Sequence, residues 1–157
     1  MQTMVDEKPK LKKGADYTGV ATVFACHDGN GKFLFARRGD NVRDGHGMWE
    51  IPAGGVKFGE KVRDGLIREL REELCTEPVA IEEIGYKDVI ERDGDFIKKH
   101  WVTFEFLIKV DPSTVQIGEP ESCAAIEWRG LDDAPAPLHF GVAETIANIK
   151  AFLATKT

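Results

Sequence analysis

Apolar residues run almost without interruption through Val20-Ala-Thr-Val-Phe-Ala-Cys26, which reads as a short strand. Turn chemistry follows in His27-Asp-Gly-Asn-Gly31, and Lys32-Phe-Leu-Phe-Ala-Arg37 predicts the returning arm of a hairpin. Gly39 to Gly47 reads as a polar loop, and a glycine cluster comes after Trp49-Glu-Ile-Pro52. A second, longer hairpin is predicted over Ile81–Glu91 and Phe96–Val110, turning at Arg92-Asp-Gly-Asp95. Val102, Phe104, Phe106 and Ile108 share one of its faces. Ala124 to Trp128 predicts one more strand, and Leu131 to Leu138 a Pro- and Asp-rich loop. Two stretches carry helical periodicity instead. Val62, Leu66, Leu70 and Leu74 form one face over about Lys61–Leu74. Val142, Ile146, Ile149 and Leu153, at spacings of four, three and four, form another over about Gly141–Ala154. With no repeat and no linker, the pattern predicts one mixed α/β domain over residues 18–157. The stretch Met1–Tyr17 is a polar, Lys-rich lead-in, read as solvated and flexible. It is not read as a basic arm for nucleic acid, because Asp6, Glu7 and Asp16 share it with the lysines.

Composition narrows the function classes. The chain has 157 residues, 42% hydrophobic and 31% charged, the profile of an ordinary globular domain. Twenty-one Lys+Arg against 27 Asp+Glu give a net charge of −6, so nucleic acid and anionic membranes are not expected partners. An anionic substrate would need a bound cation to mediate the encounter. Cys26, Cys75 and Cys123 are odd in number and form no C-x-x-C pair, which signals neither a disulfide framework nor a thiolate zinc site. No apolar run approaches the roughly 18 residues of a membrane span, and no apolar leader is visible. A cytoplasmic location is the expectation.

Candidate chemistry concentrates in Gly54-Gly-Val-Lys-Phe-Gly-Glu60 and the helix that follows. Glu69, Glu72 and Glu73 fall within a single arc of roughly 100° on the helix surface. Carboxylates so placed repel one another. They form either a solvated acidic face or, with a hard divalent cation among them, a metal site. Gly54, Gly55 and Gly59 allow a tight turn ahead of the helix. Glu60 is expected to begin the helix, and Arg68, one turn before Glu72, to hold the carboxylates ionised. Gly65 inside a helix costs on the order of 1 kcal/mol relative to Ala; a close approach of helix to sheet would account for it. The Asp28-Gly-Asn-Gly segment lacks the later acidic positions of a calcium loop and reads as a turn.

This segment resembles the signature of the Nudix hydrolases, G-x5-E-x7-R-E-U-x-E-E-x-G-U with U aliphatic. Gly54, Glu60, Arg68, Glu69, Leu70, Glu72 and Glu73 match at the required spacing. The departures are Cys75 for the pattern's Gly and Thr76 for its last aliphatic residue. Phe35-Ala-Arg-Arg38, Trp49-Glu-Ile-Pro52 and Glu127-Trp128 resemble the flanks of the MutT-like branch. His100-Trp-Val-Thr and Glu119-Pro-Glu-Ser-Cys123 look most like its nucleoside triphosphate diphosphatases. The fold implied is an α/β/α sandwich, a mixed central sheet with the signature helix and a C-terminal helix packed on it.

The resemblance implies a hydrolase that uses Mg2+ or Mn2+ to cleave a nucleoside diphosphate linked to another group. Its most similar members convert a nucleoside triphosphate to monophosphate and pyrophosphate; an ADP-ribose or nucleotide-sugar pyrophosphatase is the alternative. A nucleotide-sensing domain without catalysis is the alternative from another class, and homodimers are common among relatives. By position, Glu69 and Glu73 would be metal ligands, Glu72 a ligand to a further ion, and the Ala53 carbonyl a completing donor. Arg68 would orient Glu69, and Glu60 would support the network. Glu121 is the candidate for a further downstream carboxylate, and a surface glutamate otherwise. Arg38 is either a substrate-phosphate contact or a surface arginine. Gly54 and Gly55 line the expected substrate side, and Asn41 to His46 its mouth. Phe96 and Trp101 either stack on a base or belong to the core. His100 either touches the base or is a satisfied structural histidine. Cys75, at a helix C-terminus, is not expected to be an activated thiolate.

Overall fold

The computed structural model describes residues 8–156. Met1–Glu7 of the expected lead-in and the final Thr157 lie outside the described residues. Seven strands and two helices follow in the order β1 (Gly19–His27), β2 (Phe33–Arg38), β3 (Trp49–Glu50), β4 (Ala53–Gly55), α1 (Val62–Leu74), β5 (Ala80–Asp93), β6 (Phe96–Lys109), β7 (Cys123–Arg129) and α2 (Val142–Ala154). Short 3-10 turns at Pro112–Thr114 and Leu131–Asp133 flank β7.

The central strand is β1, whose apolar run is explained by a helical layer on each side. It pairs in parallel with β6 over nine positions, from Gly19↔Trp101 to His27↔Lys109. Phe24 and Cys26 of β1 join Leu34, Phe106, Ile108 and the α1 residues Leu66, Leu70 and Leu74 in one core. Val23 and Ala25, one residue out of phase, join Phe33, Phe35, Leu107 and the α2 residues Val142, Ile146 and Ile149 in the other. The sheet is therefore filled from both faces, as the period-two alternation of strand side chains requires. Both helical stripes expected from the sequence are the faces that pack. Fold class and α/β/α layering are those expected.

The first predicted hairpin differs in its pairing. β2 follows β1 through an Asx turn in which Asp28 Oδ1 accepts from the backbone N–H of Asn30 at 2.6 Å. Yet β2 meets β1 in register only at His27↔Phe33. The rest of that edge of β1 is taken by β4, at Ala21↔Gly55 through Val23↔Ala53, and β2 pairs instead with β7 and β3. A strand has one hydrogen-bonding edge on each side, so β2 and β4 diverge. Their divergence opens the cleft described below.

The lead-in also differs where it is described. Gly14 accepts from the His100 N–H at 2.9 Å, and Lys13 Nζ donates to the Val56 carbonyl at 2.6 Å. A Cβ on Gly14 would stand 2.1 Å from the Trp101 indole. This turn is thus docked on β6 and on the loop before α1.

Cys75 closes α1 in the left-handed conformation, φ 55°, where the family pattern has Gly. Glycine adopts this geometry without a Cβ penalty, so Cys75→Gly should raise stability by about 0.5–1 kcal/mol. The expected readout is a melting temperature higher by roughly 2 °C; a lower one would show that the thiol's contacts outweigh backbone relief.

Candidate active site

Arg68 is the hub around which the acidic residues assemble. Its Nε and Nη2 donate to Glu60 Oε2 and Oε1 at 2.8 and 2.9 Å, a bidentate fork. Its Nη1 reaches Glu69 Oε1 at 2.9 Å and Glu72 Oε2 at 3.1 Å. Nη2 also donates to the Gly55 carbonyl at 3.0 Å, so that acceptor of the glycine loop is committed to Arg68. Glu60 does not begin the helix. α1 starts at Val62 after an N-cap Lys61 that makes no side-chain cap bond, and Glu60 stands before it, accepting from the Lys57 N–H at 3.0 Å. The Arg68 fork, aided by that N–H, holds the Glu60 carboxyl down at about 2, and Glu60 in turn holds the Arg68 guanidinium above its usual range.

Two glycines are needed by these carboxylates. A Cβ on Gly54 would lie 2.2 Å from Glu69 Cδ, so the bare backbone of β4 is the surface on which the Glu69 carboxylate rests. A Cβ on Gly65 would stand 2.8 Å from Glu60 Oε1 and 3.5 Å from Val56 Cγ2. The expected helix–sheet approach is therefore not what Gly65 serves; it makes room for Glu60.

Beyond Arg68 the site is short of cations. Burial pushes the Glu73 carboxyl well above the usual carboxylate range, assisted by the charges of Glu69, Glu50 and Glu119. Glu119 is shifted upward as well, by burial and then by Glu69, Glu72 and Glu121. Glu119 comes near because α1 ends with unpaired carbonyls. The Gln116 N–H donates to Leu74 O at 3.0 Å and the Gly118 N–H to Glu73 O at 2.8 Å. A Cβ on Gly118 would meet Glu72 O at 2.0 Å, so the segment lies directly on the helix end. Thr76 is buried and hydrogen-bonded to Thr114, Oγ1 to Oγ1, at 2.6 Å. The position that is aliphatic in the pattern thus ties the same segment down.

Glu121, the expected downstream carboxylate, is exposed and does not line this cleft, whereas Glu119 and Glu50 do. The spacing rule missed both, since neither lies in the signature; Glu50 stands in the Trp49-Glu-Ile-Pro52 run. Three of the five Arg38 N–H donors are engaged from within. Nη1 meets Glu50 Oε2 at 2.7 Å, Nη2 meets Asp44 Oδ1 at 3.1 Å and Nε donates to the Asp44 carbonyl at 2.9 Å. Asp44 also pairs with Lys99 and stands 3.5 Å from His139, which anchors the Gly39–Gly47 loop at the cleft. Trp101 lines a second, larger cavity of about 320 Å³. His100, on the opposite face of β6, contacts Thr18 Oγ1 through Nδ1 at 3.1 Å. Phe96 is exposed at the hairpin tip, neither core nor cleft. Arg38, Glu50 and Ala53 line both cavities, which therefore adjoin.

Among the described residues no three acidic, His or Cys side chains stand in ready-made coordination, since Arg68 occupies oxygens of Glu69 and Glu72. The donor chemistry nevertheless fits a hard divalent cation. It consists of carboxylate oxygens in anionic excess, with one carboxyl driven upward by burial and then by its neighbours' charge.

Fold and site together describe an α/β/α hydrolase-type domain whose acidic helix flanks a cleft opened by diverging strands. A sequence model of the NUDIX domain matches residues 16–149, and the chain belongs to that family. It is 33% identical over 87 residues to an uncharacterized Nudix hydrolase, YvcI, of Bacillus subtilis. It is 31% identical over 116 residues to an RNA pyrophosphohydrolase of Acinetobacter baylyi. The matches cover 55% and 64% of this chain and 54% and 64% of those relatives. The crystal structure of a MutT NUDIX hydrolase from Burkholderia pseudomallei superposes with a TM-score of 0.74 at 25% identity, covering 85% of this chain and 98% of that one. Among the described residues no helix is long and apolar enough to cross a membrane.

The shift at Glu73 has a sign that can be checked. A carboxyl raised in the folded state contributes stability below its ordinary value of 4.5 and loses it as pH climbs through the folded value. Glu73→Gln removes that loss. The variant should gain on the parent protein as pH rises above that ordinary value, seen as a difference in melting temperature that widens with pH. A difference that stays constant over that rise would contradict the assignment.

Proposed function

We propose that this protein is a metal-dependent hydrolase of nucleoside diphosphate derivatives. Its preferred substrate is a nucleoside triphosphate, normal or modified, cleaved to monophosphate and pyrophosphate. The observation that carries the reading is the anionic surplus at Glu69, Glu72, Glu73 and Glu119 beside a cavity of nucleoside size. An overall acidic chain gains nothing by such a cluster unless a cation joins it. Mg2+ or Mn2+, held by Glu69, Glu73 and Glu72 with the Ala53 carbonyl, would neutralise the phosphates' charge and polarise the attacking water.

The protein's own groups have separable tasks. Arg68 positions Glu69 and Glu72 by the hydrogen bonds described, and Glu60 positions Arg68. The carboxylate of Glu119, held above the usual range, is suited to take the proton of the attacking water. Overall, water adds to phosphorus, the anhydride oxygen leaves with pyrophosphate, and the released proton passes to the carboxylate and then to solvent. Arg38 keeps one further N–H on each Nη, beside its bonds to Glu50 and Asp44, with which to meet a substrate phosphate.

The test is a panel of nucleoside triphosphates, ADP-ribose and nucleotide sugars, assayed by product chromatography with Mg2+ or Mn2+. The expected outcome is release of monophosphate and pyrophosphate, abolished by EDTA and reduced by at least about 100-fold in Glu73→Gln. Cleavage confined to ADP-ribose or a nucleotide sugar would replace the substrate class. Tight binding with no turnover would replace catalysis by sensing. Glu119→Gln should lower kcat by about 100-fold with little change in KM, while Glu121→Gln should not. Equal effects would remove Glu119 from proton transfer.

A further inference from the structure

The larger cavity ends, away from the carboxylates, on a buried charge that the hydrolytic site does not use. Lys87 of β5 is 8% exposed and Glu105 of β6 is 2% exposed. Lys87 Nζ donates to the Gly141 carbonyl at 2.7 Å and to Thr145 Oγ1 at 2.6 Å, both at the start of α2. Glu105 Oε1 accepts from Asn148 Nδ2 at 2.7 Å. Its Oε2 is buried without a hydrogen-bond partner and stands 3.8 Å from Nζ, beyond hydrogen-bond reach.

An ammonium has three donors, and among the described residues only two of them are met by a hydrogen bond. Gly141, Val142, Thr145 and Thr103 line the cavity around Lys87, and Val89, Val23 and Trp101 give it apolar walls. Leaving a charged donor unmatched in such a place is costly. A buried lysine at an otherwise apolar cavity end is a feature that a ligand acceptor would complete.

We propose that Lys87 is a specificity-determining residue that donates to an exocyclic oxo oxygen of the substrate's nucleobase, so that the enzyme favours oxo-bearing bases over adenine. This rests on the nucleotide-hydrolase reading of the adjoining site, from which Arg38, Glu50 and Ala53 lead into the cavity. Guanine offers two adjacent acceptors on one edge, and uracil and thymine an oxo group. Adenine sets an amino donor beside its acceptor on the equivalent edge. Against an ammonium, that amino group places donor next to donor. Glu105 supplies the countercharge, and Asn148 and Thr145 fix the pair against α2, so Glu105 is a positioning residue rather than a contact.

The experiment measures the ratio of kcat/KM for GTP and UTP to that for ATP. In parallel, calorimetry measures the affinity ratio of GMP and UMP to AMP. Both are run on the parent protein, on Lys87→Met and on the double variant Lys87→Met/Glu105→Gln, with circular dichroism to confirm folding. The double variant removes both charges, so it avoids stranding a carboxylate in the interior. The parent is expected to prefer oxo bases by about 10-fold or more, and either folded variant should bring the ratio close to one. A parent without that preference, or a preference that survives loss of the ammonium, overturns the proposal. The monophosphate titration separates this from the reading it rests on. If no triphosphate is hydrolysed but GMP and UMP outbind AMP in a Lys87-dependent way, the function fails and the base contact stands. If hydrolysis proceeds with equal ratios in parent and variants, the function stands and the base contact fails.

Discussion

The Arg68 guanidinium is the interaction on which the arrangement of the site depends. It lies among Glu60, Glu69 and Glu72 and the Gly55 carbonyl. One planar cation thereby connects the loop before α1, the helix itself and strand β4. A lysine could offer charge but not this geometry, since its donors radiate from a point. Without such a clamp the like charges on the helix flank would push their side chains apart. With it, Glu69 rests on the glycine backbone and Glu73 is left facing further carboxylates. The clamp organises the acidic cluster without neutralising it, and that anionic surplus is what the proposed cation would meet.

The opposite end of α1 solves a different problem by similar means. Its last carbonyls need donors, and they receive them from Gln116 and Gly118. The chain that provides those bonds continues directly into Glu119. Cys75 and Thr76, the two departures from the family pattern, both lie at this junction. One adopts the left-handed turn at some strain, and the other is buried and joined to Thr114. Capping a helix and delivering a carboxylate are thus a single structural event.

Charge and burial divide the two sides of the cleft. On the α1 side the acidic groups outnumber the cations. On the α2 side a buried Lys87–Glu105 pair stands at the end of a largely apolar cavity. The cleft on the α1 side lies where β1 gives one stretch of its edge to β4 and leaves β2 only a single registered position there. A continuous β1–β2 hairpin would have filled that gap. Arg38, the Glu50 it pairs with, and Ala53 join the two regions by lining both cavities.

Much of this was legible in the order of residues. The apolar run of β1, the two helical stripes and the spacing from Gly54 to Glu73 are local, periodic signals, and they identified the layers, the acidic flank and the family. What lay beyond reach was decided by contacts between distant segments. Local propensity favours a hairpin over residues 20–37, yet β4 competes for the same edge, and only tertiary packing settles such a competition. Glu119 and Glu121 are both acidic, exposed-looking positions in one short segment. The capping of α1 by Gln116 and Gly118 determines which of them meets the carboxylates. Lys87 and Glu105 sit eighteen positions apart in an ordinary-looking hairpin, and their meeting beneath α2 follows from strand register, which side-chain pattern alone does not specify. Residue order is enough for the layers and the chemistry of the acidic helix, because those depend on neighbours a turn or two away. Which groups face that chemistry is a matter of packing, because burial and close approach belong to residues far apart in the chain.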